Sequence, residues 1–501
     1  MLHRTAGDSA SASQVAVQTP DGPDYRRGSK SALWFAALML AILAFYLATI
    51  RTGHHWGDDY ALYVHHAKNL ATGVPYTAIG YIADPDYPTY SVRMAPPVFP
   101  FALAAVYKIF GMNFTAFKVV GILFFVGALA LLLAYFRDYL TLPYRLLLVA
   151  IMGFNPFFWN AKDNVVSDVP FFFFTLLTAW LVEEHRPAWQ CGIAAYLAIG
   201  TRTIGVVLVP AIIIYDLIWH KRITKYSGIA VATYAGLAIL QRLVLHGDTA
   251  SSYVDLFRPS LEAYVQNFRN YPFIFADFWL TPVFWMTVLI CGAVSLLAIR
   301  GIPGKQPLFF TLFVVLYGIA LLLWPGGSQE ARYLIPIFVL FLFYAVRGMQ
   351  RLGTAATVAV CLLLSTGFAL EYRTQPFKTI NEANGRETFV AMCSWVRGNT
   401  APGDRFVFNR ARTLSLFTDR AVSPYHEPQS ADALWEYFRS QNIQYVVASN
   451  IFEKDRRVLV PLLESHKNEV EPKYENSEFA VYWIRRGAAA PTPQVTSGVS
   501  R

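Results

Sequence analysis

The chain has 501 residues, of which 55% are hydrophobic, 16% aromatic and only 15% charged. One or two soluble domains cannot bury so much apolar surface, so this composition predicts a polytopic membrane protein. The net charge of +9 is compatible with a nucleic-acid partner, but much of the excess lies in short loops between apolar runs, where it indicates membrane orientation. The cysteines are scattered and predict neither a disulfide framework nor a zinc site: Cys191, Cys291, Cys361 and Cys393.

The N-terminal segment, residues 1–30, is polar and ends in Arg26, Arg27 and Lys30. We expect it to be disordered and cytoplasmic. The apolar run that begins at Ala32 is typical of an uncleaved signal anchor.

Eleven apolar runs are predicted to cross the membrane, so residues 31–370 are expected to form a membrane domain. The predicted spans are 32–50, 114–136, 142–159, 166–183, 188–201, 204–219, 226–245, 281–299, 307–324, 332–346 and 353–370. The run 98–110 is excluded because about 13 residues of helix cover only roughly 20 Å.

With these spans, every cytoplasmic connection carries at least one arginine, as the positive-inside rule requires. These basic residues include Arg137, Arg145, Arg186, Arg222, Arg300 and Arg347. Three regions then share the outer face: the loop 51–113, the loop 246–280 and the C-terminal region. We expect a bacterial inner-membrane protein whose C-terminal domain is periplasmic or extracellular.

The C-terminal region, residues 371–486, alternates helical and strand patterns and predicts a small α/β domain. Helices are expected at 382–397 and 432–440, and strands at 405–408, 444–448 and 480–484. The region has neither a glycine-rich phosphate loop nor a nucleophile elbow, so we expect it to bind or shield rather than catalyse. The tail, 487–501, is predicted to be disordered.

Three acids are candidates for chemistry. Asp58 and Asp59 follow the first span at the head of an amphipathic stretch, and Asp168 leads into a very apolar span. A carboxylate at the membrane surface can act as a base while the lipid part of a substrate stays in the bilayer. The same acids would also suit helix starts as caps. Position alone leaves both interpretations open.

A series of loose motifs resembles the GT-C glycosyltransferases, in particular the protein O-mannosyltransferases and the lipid A aminoarabinose transferases. The resemblance covers about residues 32–370 and implies a GT-C-like membrane domain of about 11 transmembrane helices, followed by the small C-terminal α/β domain. The matching motifs are Asp59 with Tyr63, Pro96-Pro97 through Phe110-Gly111, Asp168 with Pro170, Thr201-Arg202-Thr203, and Arg332-Tyr333.

The resemblance implies an inverting enzyme that moves a hexosyl or pentosyl group from a polyprenyl-phosphate donor to a protein, lipid or polysaccharide acceptor. In the D-x-x-x-Y register, Asp59 matches the catalytic base and Asp58 orients it or caps the helix. The register does not exclude the reverse. Asp168 matches the second acid of the family, which positions the acceptor or the donor sugar.

The donor phosphate needs cationic or hydroxyl groups. Met94 and Ala95 stand where the lipid A enzymes have Glu-Lys before the Pro-Pro pair, which leaves Arg93 as a displaced candidate. Arg332 and Tyr333 offer a fork of donors and a hydroxyl. Arg332 also suits an interfacial anchor. Further candidates for substrate binding are Tyr63, Arg202, Arg258 and Arg269.

Histidines flank the paired acids, so a divalent metal site that includes Asp58 is an alternative. Most surface histidines are solvated, and these lack a recognised ligand spacing; the expected chemistry requires no cofactor. The histidines are His54, His55, His65 and His66.

A transporter or flippase of lipid-linked saccharides is the competing function. Such proteins usually carry polar or broken segments near the middle of the membrane and often two similar halves. Here the acids lie at the outer ends of little-interrupted spans, which favours an enzyme. A membrane-anchored binding protein would need neither the outer acids nor the many spans.

Overall fold

The computed structural model describes residues 25–83, 94–245, 260–324, 330–427 and 430–485. Apolar helices form a membrane body up to residue 372, and a smaller region with a mixed sheet follows. The predicted fold class is confirmed. The boundaries proposed for the domains stay predictions.

The membrane body contains fifteen α-helices within the described ranges. They are α1 (Tyr25–Ala48), α2 (Asp58–Thr72), α3 (Val98–Phe110), α4 (Phe114–Tyr135), α5 (Leu142–Gly153), α6 (Pro156–Ala161), α7 (Asp168–Glu183), α8 (Ala188–Ile199), α9 (Leu208–His220), α10 (Lys225–Val244), α11 (Leu261–Phe275), α12 (Phe284–Gly301), α13 (Leu308–Leu322), α14 (Ile335–Leu352) and α15 (Thr354–Tyr372).

Six helical segments in the described chain are long and apolar enough to cross a membrane, which makes this a multi-pass membrane protein. They are Phe114–Asp138, Thr203–His220, Lys225–Val244, Phe284–Gly301, Ala331–Leu352 and Thr354–Tyr372. Shorter apolar helices accompany them, and Val98–Phe110 is among these. The number of eleven spans stays a prediction.

The predicted span 142–159 is interrupted in the structure. Helix α5 ends at Gly153, and α6 begins at Pro156 after the Asn155 N-cap, whose side chain accepts from the Phe157 amide. Proline has no amide hydrogen to continue the helical ladder, so the chain starts a new helix there.

The membrane body has two chemically different ends. At one end, arginines donate to carbonyls near helix ends: Arg145 and Arg347, both predicted to be cytoplasmic, to Leu133 and Gly301, and Arg351 to Arg300. The other end holds the first residues of α2, α7 and α14. Because α7 and α14 have 16 and 18 residues, roughly 25 Å separates these ends.

The C-terminal region comprises four helices and a five-stranded sheet of order β2-β1-β3-β5-β4. Strands β2 and β3 both pair with β1 in parallel, whereas β5 pairs antiparallel with β3 and β4. The elements are α16 (Glu387–Asn399), β1 (Arg405–Val407), α17 (Ala411–Thr418), β2 (Ala421–Ser423), α18 (Ala431–Ser440), β3 (Tyr445–Ser449), α19 (Val460–Ser465), β4 (Val470–Glu475) and β5 (Phe479–Ile484).

This C-terminal domain docks on the segment between α1 and α3, both before and after α2. The Ile82 amide donates to the Val422 carbonyl at 2.9 Å, and the Val422 amide donates to the Gly80 carbonyl at 2.8 Å, which extends the edge strand β2. The Trp56 ring packs at 5.0–5.1 Å from two phenylalanine rings of the domain, Phe389 and Phe452. Backbone pairing and aromatic packing therefore hold the domain over the acids at the start of α2.

Candidate active site

The three candidate acids lie in the first turns of two helices. Asp58 and Asp59 begin α2, and Asp168 begins α7. The N-cap residues are Gly57 and Ser167, and in the described structure no side-chain cap hydrogen bond is made at either start. The acids therefore do not serve as N-caps, although the positive ends of the helix dipoles favour their charge.

Arg332 joins two of these acids. Its Nη2 donates to Asp59 Oδ2 at 2.8 Å, and its Nη1 lies 3.4 Å from Asp168 Oδ2. Arg332 belongs to the short 3-10 helix Ala331–Leu334, which precedes α14. Because the starts of α2, α7 and α14 meet at one end of the body, residues distant in sequence share a single guanidinium.

Asp168 is the enclosed acid of this pair. Its side chain is 4% exposed, against 38% for Asp59. Arg202 Nη1 donates to Asp168 Oδ1 at 2.7 Å and lies 3.4 Å from Ser167 Oγ, which is 2.8 Å from the Tyr63 hydroxyl. Each oxygen of Asp168 thus faces an arginine, and Asp59 is the acid that solvent reaches.

Tyr333 lies between the two arginines. The guanidinium carbons of Arg202 and Arg332 are 4.9 and 5.0 Å from its ring centre, in the range of cation–π contacts. Arg332 Nη2 also donates to the Tyr333 hydroxyl at 3.1 Å. We call Asp59, Asp168, Arg202, Arg332 and Tyr333 the acid–arginine cluster.

The two adjacent acids differ in their pKa values. Burial raises the pKa of Asp58, and the charge of Arg412 offsets this only in part. Burial acts in the same direction on Asp59, but the charges of Arg332, Arg412 and Arg202 outweigh it and hold the pKa of Asp59 below its ordinary value. Asp59 is therefore ionised at neutral pH and available to accept a proton.

Two residues that sequence reasoning missed reach the acids from the C-terminal domain. Thr413 Oγ1 donates to Asp58 Oδ1 at 3.1 Å, and Arg412 Nη1 lies 3.9 Å from Asp59 Oδ1. Both residues lie on α17, which the sequence pattern did not predict. The pair of basic residues in Asn409-Arg410-Ala411-Arg412 is the sequence signal that could have indicated them.

The remaining predicted site residues are Arg93, for the donor phosphate, and Arg258 and Arg269, for substrate binding. Arg93 and Arg258 fall outside the described residues. Arg269 is exposed on α11 and is not part of the acid–arginine cluster.

The histidines near the acids have structural partners. His54 Nε2 accepts from the Val165 amide, and His66 Nε2 accepts from the Ala95 amide while its Nδ1 contacts the Tyr76 carbonyl. Burial lowers the pKa of both imidazoles to about 3, so they are neutral. Within the described residues, no three His, Cys, Asp or Glu side chains are arranged to hold a metal ion. Metal dependence stays a prediction to be tested.

A second group of charges lies at the same end of the membrane body but is fully enclosed. Asp163 accepts from the Arg51 amide at 3.0 Å, from Arg51 Nε at 2.7 Å and from Lys162 Nζ at 2.7 Å, and Lys118 Nζ is 3.4 Å away. Each of these four side chains is at most 1% exposed. We call this group the buried basic cluster.

Comparison with known proteins identifies the fold of the chain. The sequence model of the dolichyl-phosphate-mannose-protein mannosyltransferase family matches residues 94–245, less than half of the chain. ArnT from Cupriavidus metallidurans, solved bound to undecaprenyl phosphate, is 13% identical, with a TM-score of 0.59 over 92% of this chain and 99% of that one. The chain has the GT-C fold.

Two further GT-C structures are similar. Apo ArnT from the same organism has a TM-score of 0.57 at 12% identity, over 91% of this chain and 98% of that one. The Archaeoglobus fulgidus oligosaccharyltransferase, solved with a tethered acceptor peptide, has a TM-score of 0.54 at 11% identity, over 90% and 74%. No curated protein matches the sequence significantly. At these identities the structural likeness establishes the fold, and the roles of the site residues stay predictions.

Proposed function

We propose that this protein is an inverting glycosyltransferase that moves a sugar from a polyprenyl-phosphate donor to an acceptor at the outer face of a bacterial inner membrane. The main observation in support is that one guanidinium, that of Arg332, contacts both Asp59 and Asp168. The acids and cations needed for sugar transfer thereby meet at one point. The GT-C fold and the similarity to an ArnT solved with undecaprenyl phosphate support this choice.

Asp59 is proposed as the base. The acceptor's O–H or N–H bond breaks, and the proton passes to Asp59 while the acceptor atom bonds to the anomeric carbon. The bond from that carbon to the phosphate oxygen breaks, and its electron pair leaves with the polyprenyl phosphate. A single displacement of this kind inverts the configuration at the anomeric carbon.

Arg332, Arg202 and Tyr333 are proposed to hold the departing phosphate, because fixed cationic and hydroxyl donors stabilise the negative charge that develops there. A phosphate that binds Arg332 competes with Asp59 for the same nitrogen atoms. This competition weakens the ion pair, raises the pKa of Asp59 and makes it a stronger base when donor is bound. Asp168, which contacts both arginines, keeps them in place.

The test is sugar transfer in membranes that contain the full-length protein. Polyprenyl-phosphate donors with radiolabelled hexose or pentose are supplied, and label that leaves the donor fraction for an acceptor is measured. Asp59→Asn is expected to lower turnover by about 10²–10⁴-fold, the usual contribution of a general base. Asp58→Asn is expected to lower it less.

The matched control is Asp432→Asn, because Asp432 is also an acid in the first turn of a helix but is exposed and far along the chain. Its turnover should equal that of the wild type. Undiminished turnover in both Asp59→Asn and Asp58→Asn would show that neither acid is the base. Donor that crosses the vesicle membrane with its sugar still attached would identify a flippase instead.

A further inference from the structure

The first helix after β1, α17, is held against the loop that follows α2, the helix that begins with Asp58 and Asp59. Ser415 Oγ donates to the Ile79 carbonyl at 2.7 Å. Gly80 has a φ of +63°, and a Cβ there would lie 2.4 Å from Ser415 Oγ. The loop backbone and α17 are thus in contact with no room for a side chain between them.

This packing directs Arg412 toward Asp59. The guanidinium carbon of Arg412 lies 4.8 Å from the Tyr81 ring centre, and the side chain is 13% exposed. Its Nη1 is 3.9 Å from Asp59 Oδ1, whereas Arg332 binds Oδ2. The carboxylate therefore has a cation from the membrane body on one oxygen and a cation from the C-terminal domain near the other.

The neighbouring residue of α17 acts on the neighbouring acid. Thr413 is fully buried, and its hydroxyl donates to Asp58 Oδ1. Two consecutive residues of α17 thus meet two consecutive acids of α2.

We infer that the C-terminal domain completes the catalytic centre, with Arg412 as a positioning residue that orients Asp59 and Thr413 as a positioning residue that orients Asp58. The inference rests on the proposed function, in which Asp59 is the base. It assigns the domain a part in catalysis beyond substrate binding or shielding.

Several charged groups face Asp59. They are Arg332 before α14, Arg202 in the membrane body, Arg412 on α17 and the neighbouring Asp58; Arg332 also contacts Glu330 and Asp168. Loss of the Arg412 charge leaves the other groups in place. The pKa of Asp59 should therefore rise when Arg412 is neutralised, because an opposite charge nearby favours the ionised form.

The experiment compares Arg412→Gln, Arg412→Lys and Thr413→Val in the full-length protein by the same transfer assay. For Arg412→Gln we expect kcat to fall by about 10–100-fold, as misplacement of a reacting group does. The acid limb of its pH profile for kcat/KM should move up by about one pH unit. Arg412→Lys should restore the position of that limb and part of kcat, and Thr413→Val should lower kcat less.

The control is Arg439→Gln, which breaks an exposed ion pair with Glu469 elsewhere in the same domain. It should leave both kcat and the pH profile unchanged. If Arg412→Gln folds and keeps the wild-type kcat and acid limb while Asp59→Asn is inactive, the inference is wrong and the proposed function stands. If Asp59→Asn remains active, the proposed function itself fails. Should Arg412→Gln not fold, a wild-type kcat in both Arg412→Lys and Thr413→Val would overturn the inference.

Discussion

The acid–arginine cluster and the buried basic cluster both pair carboxylates with cations at one end of the membrane body, yet solvent reaches only one of them. Asp163 is completely buried among three cations, whereas the Asp59 side chain is 38% exposed beside Arg332. Burying an ion pair makes its partners costly to separate, while an exposed pair exchanges partners readily. The buried basic cluster is suited to hold helices together, and the acid–arginine cluster is suited to bind a substrate.

The largest effect is expected from Asp163→Asn. The substitution leaves Arg51, Lys118 and Lys162 buried without their shared carboxylate, and breaking a buried pair costs about 3–5 kcal/mol. The free energy of unfolding and the yield of folded protein should fall sharply, which thermal unfolding in detergent measures. Asp138→Asn, at an exposed pair with Arg137, is the control. Equal stability of Asp163→Asn and Asp138→Asn would show that the buried basic cluster does not stabilise the fold.

Arg332→Gln tests the acid–arginine cluster, where turnover rather than stability is expected to fall. Removal of a charge that stabilises a leaving group costs about 10²–10³-fold in kcat. The melting temperature should change little, because Asp168 keeps its ion pair with Arg202. Transfer of labelled sugar and thermal unfolding are measured on one preparation. A loss of stability as large as that of Asp163→Asn would assign Arg332 a structural role instead.

The smallest effect is expected from acidification between pH 7 and pH 5. Burial would raise the pKa of Asp163, but Lys162, Lys118 and Arg51 outweigh it and lower that pKa, as Arg332 does for Asp59. A carboxylate whose pKa is lowered by folding stabilises the folded state at pH values above its pKa in the unfolded chain, which is about 3.9. That stability is lost only as the pH falls through the pKa in the folded state.

Neither carboxylate should therefore titrate in this window, so the contribution of Asp163 to stability and of Asp59 to turnover should be retained. Melting temperature and kcat/KM at both pH values check this. An acid limb within the window that disappears in Asp58→Asn would identify Asp58 as the base, because the pKa of Asp58 is raised.

Much of the site was predictable because its residues begin helices. The changes from polar to apolar sequence at Asp59, Asp168 and Arg332 mark helix starts, and helix starts on one side of a membrane meet in space. Loose family motifs then selected the residues that the structure brings together. Hydropathy predicted the polytopic helical class, whereas the GT-C likeness was predicted from the resemblance of the motifs.

The contribution of α17 was not predictable from local pattern. This helix has only eight residues, ARTLSLFT, too few for a clear helical periodicity. Its contact with Asp58 joins residues 355 positions apart. Such a contact depends on how two folded surfaces fit, which neither composition nor the spacing of apolar residues reports.

The strand-like pairing around Thr52 has a consequence for how the protein is made. The Thr52 amide donates to the Lys378 carbonyl at 2.9 Å, and the Ile380 amide donates to the Thr52 carbonyl at 2.8 Å. The ribosome therefore adds more than 300 residues after Thr52 before the bonding partners of Thr52 are made. A nascent chain whose last membrane helix, α15, has been completed at Tyr372 still lacks this pairing until Lys378 and Ile380 have been added.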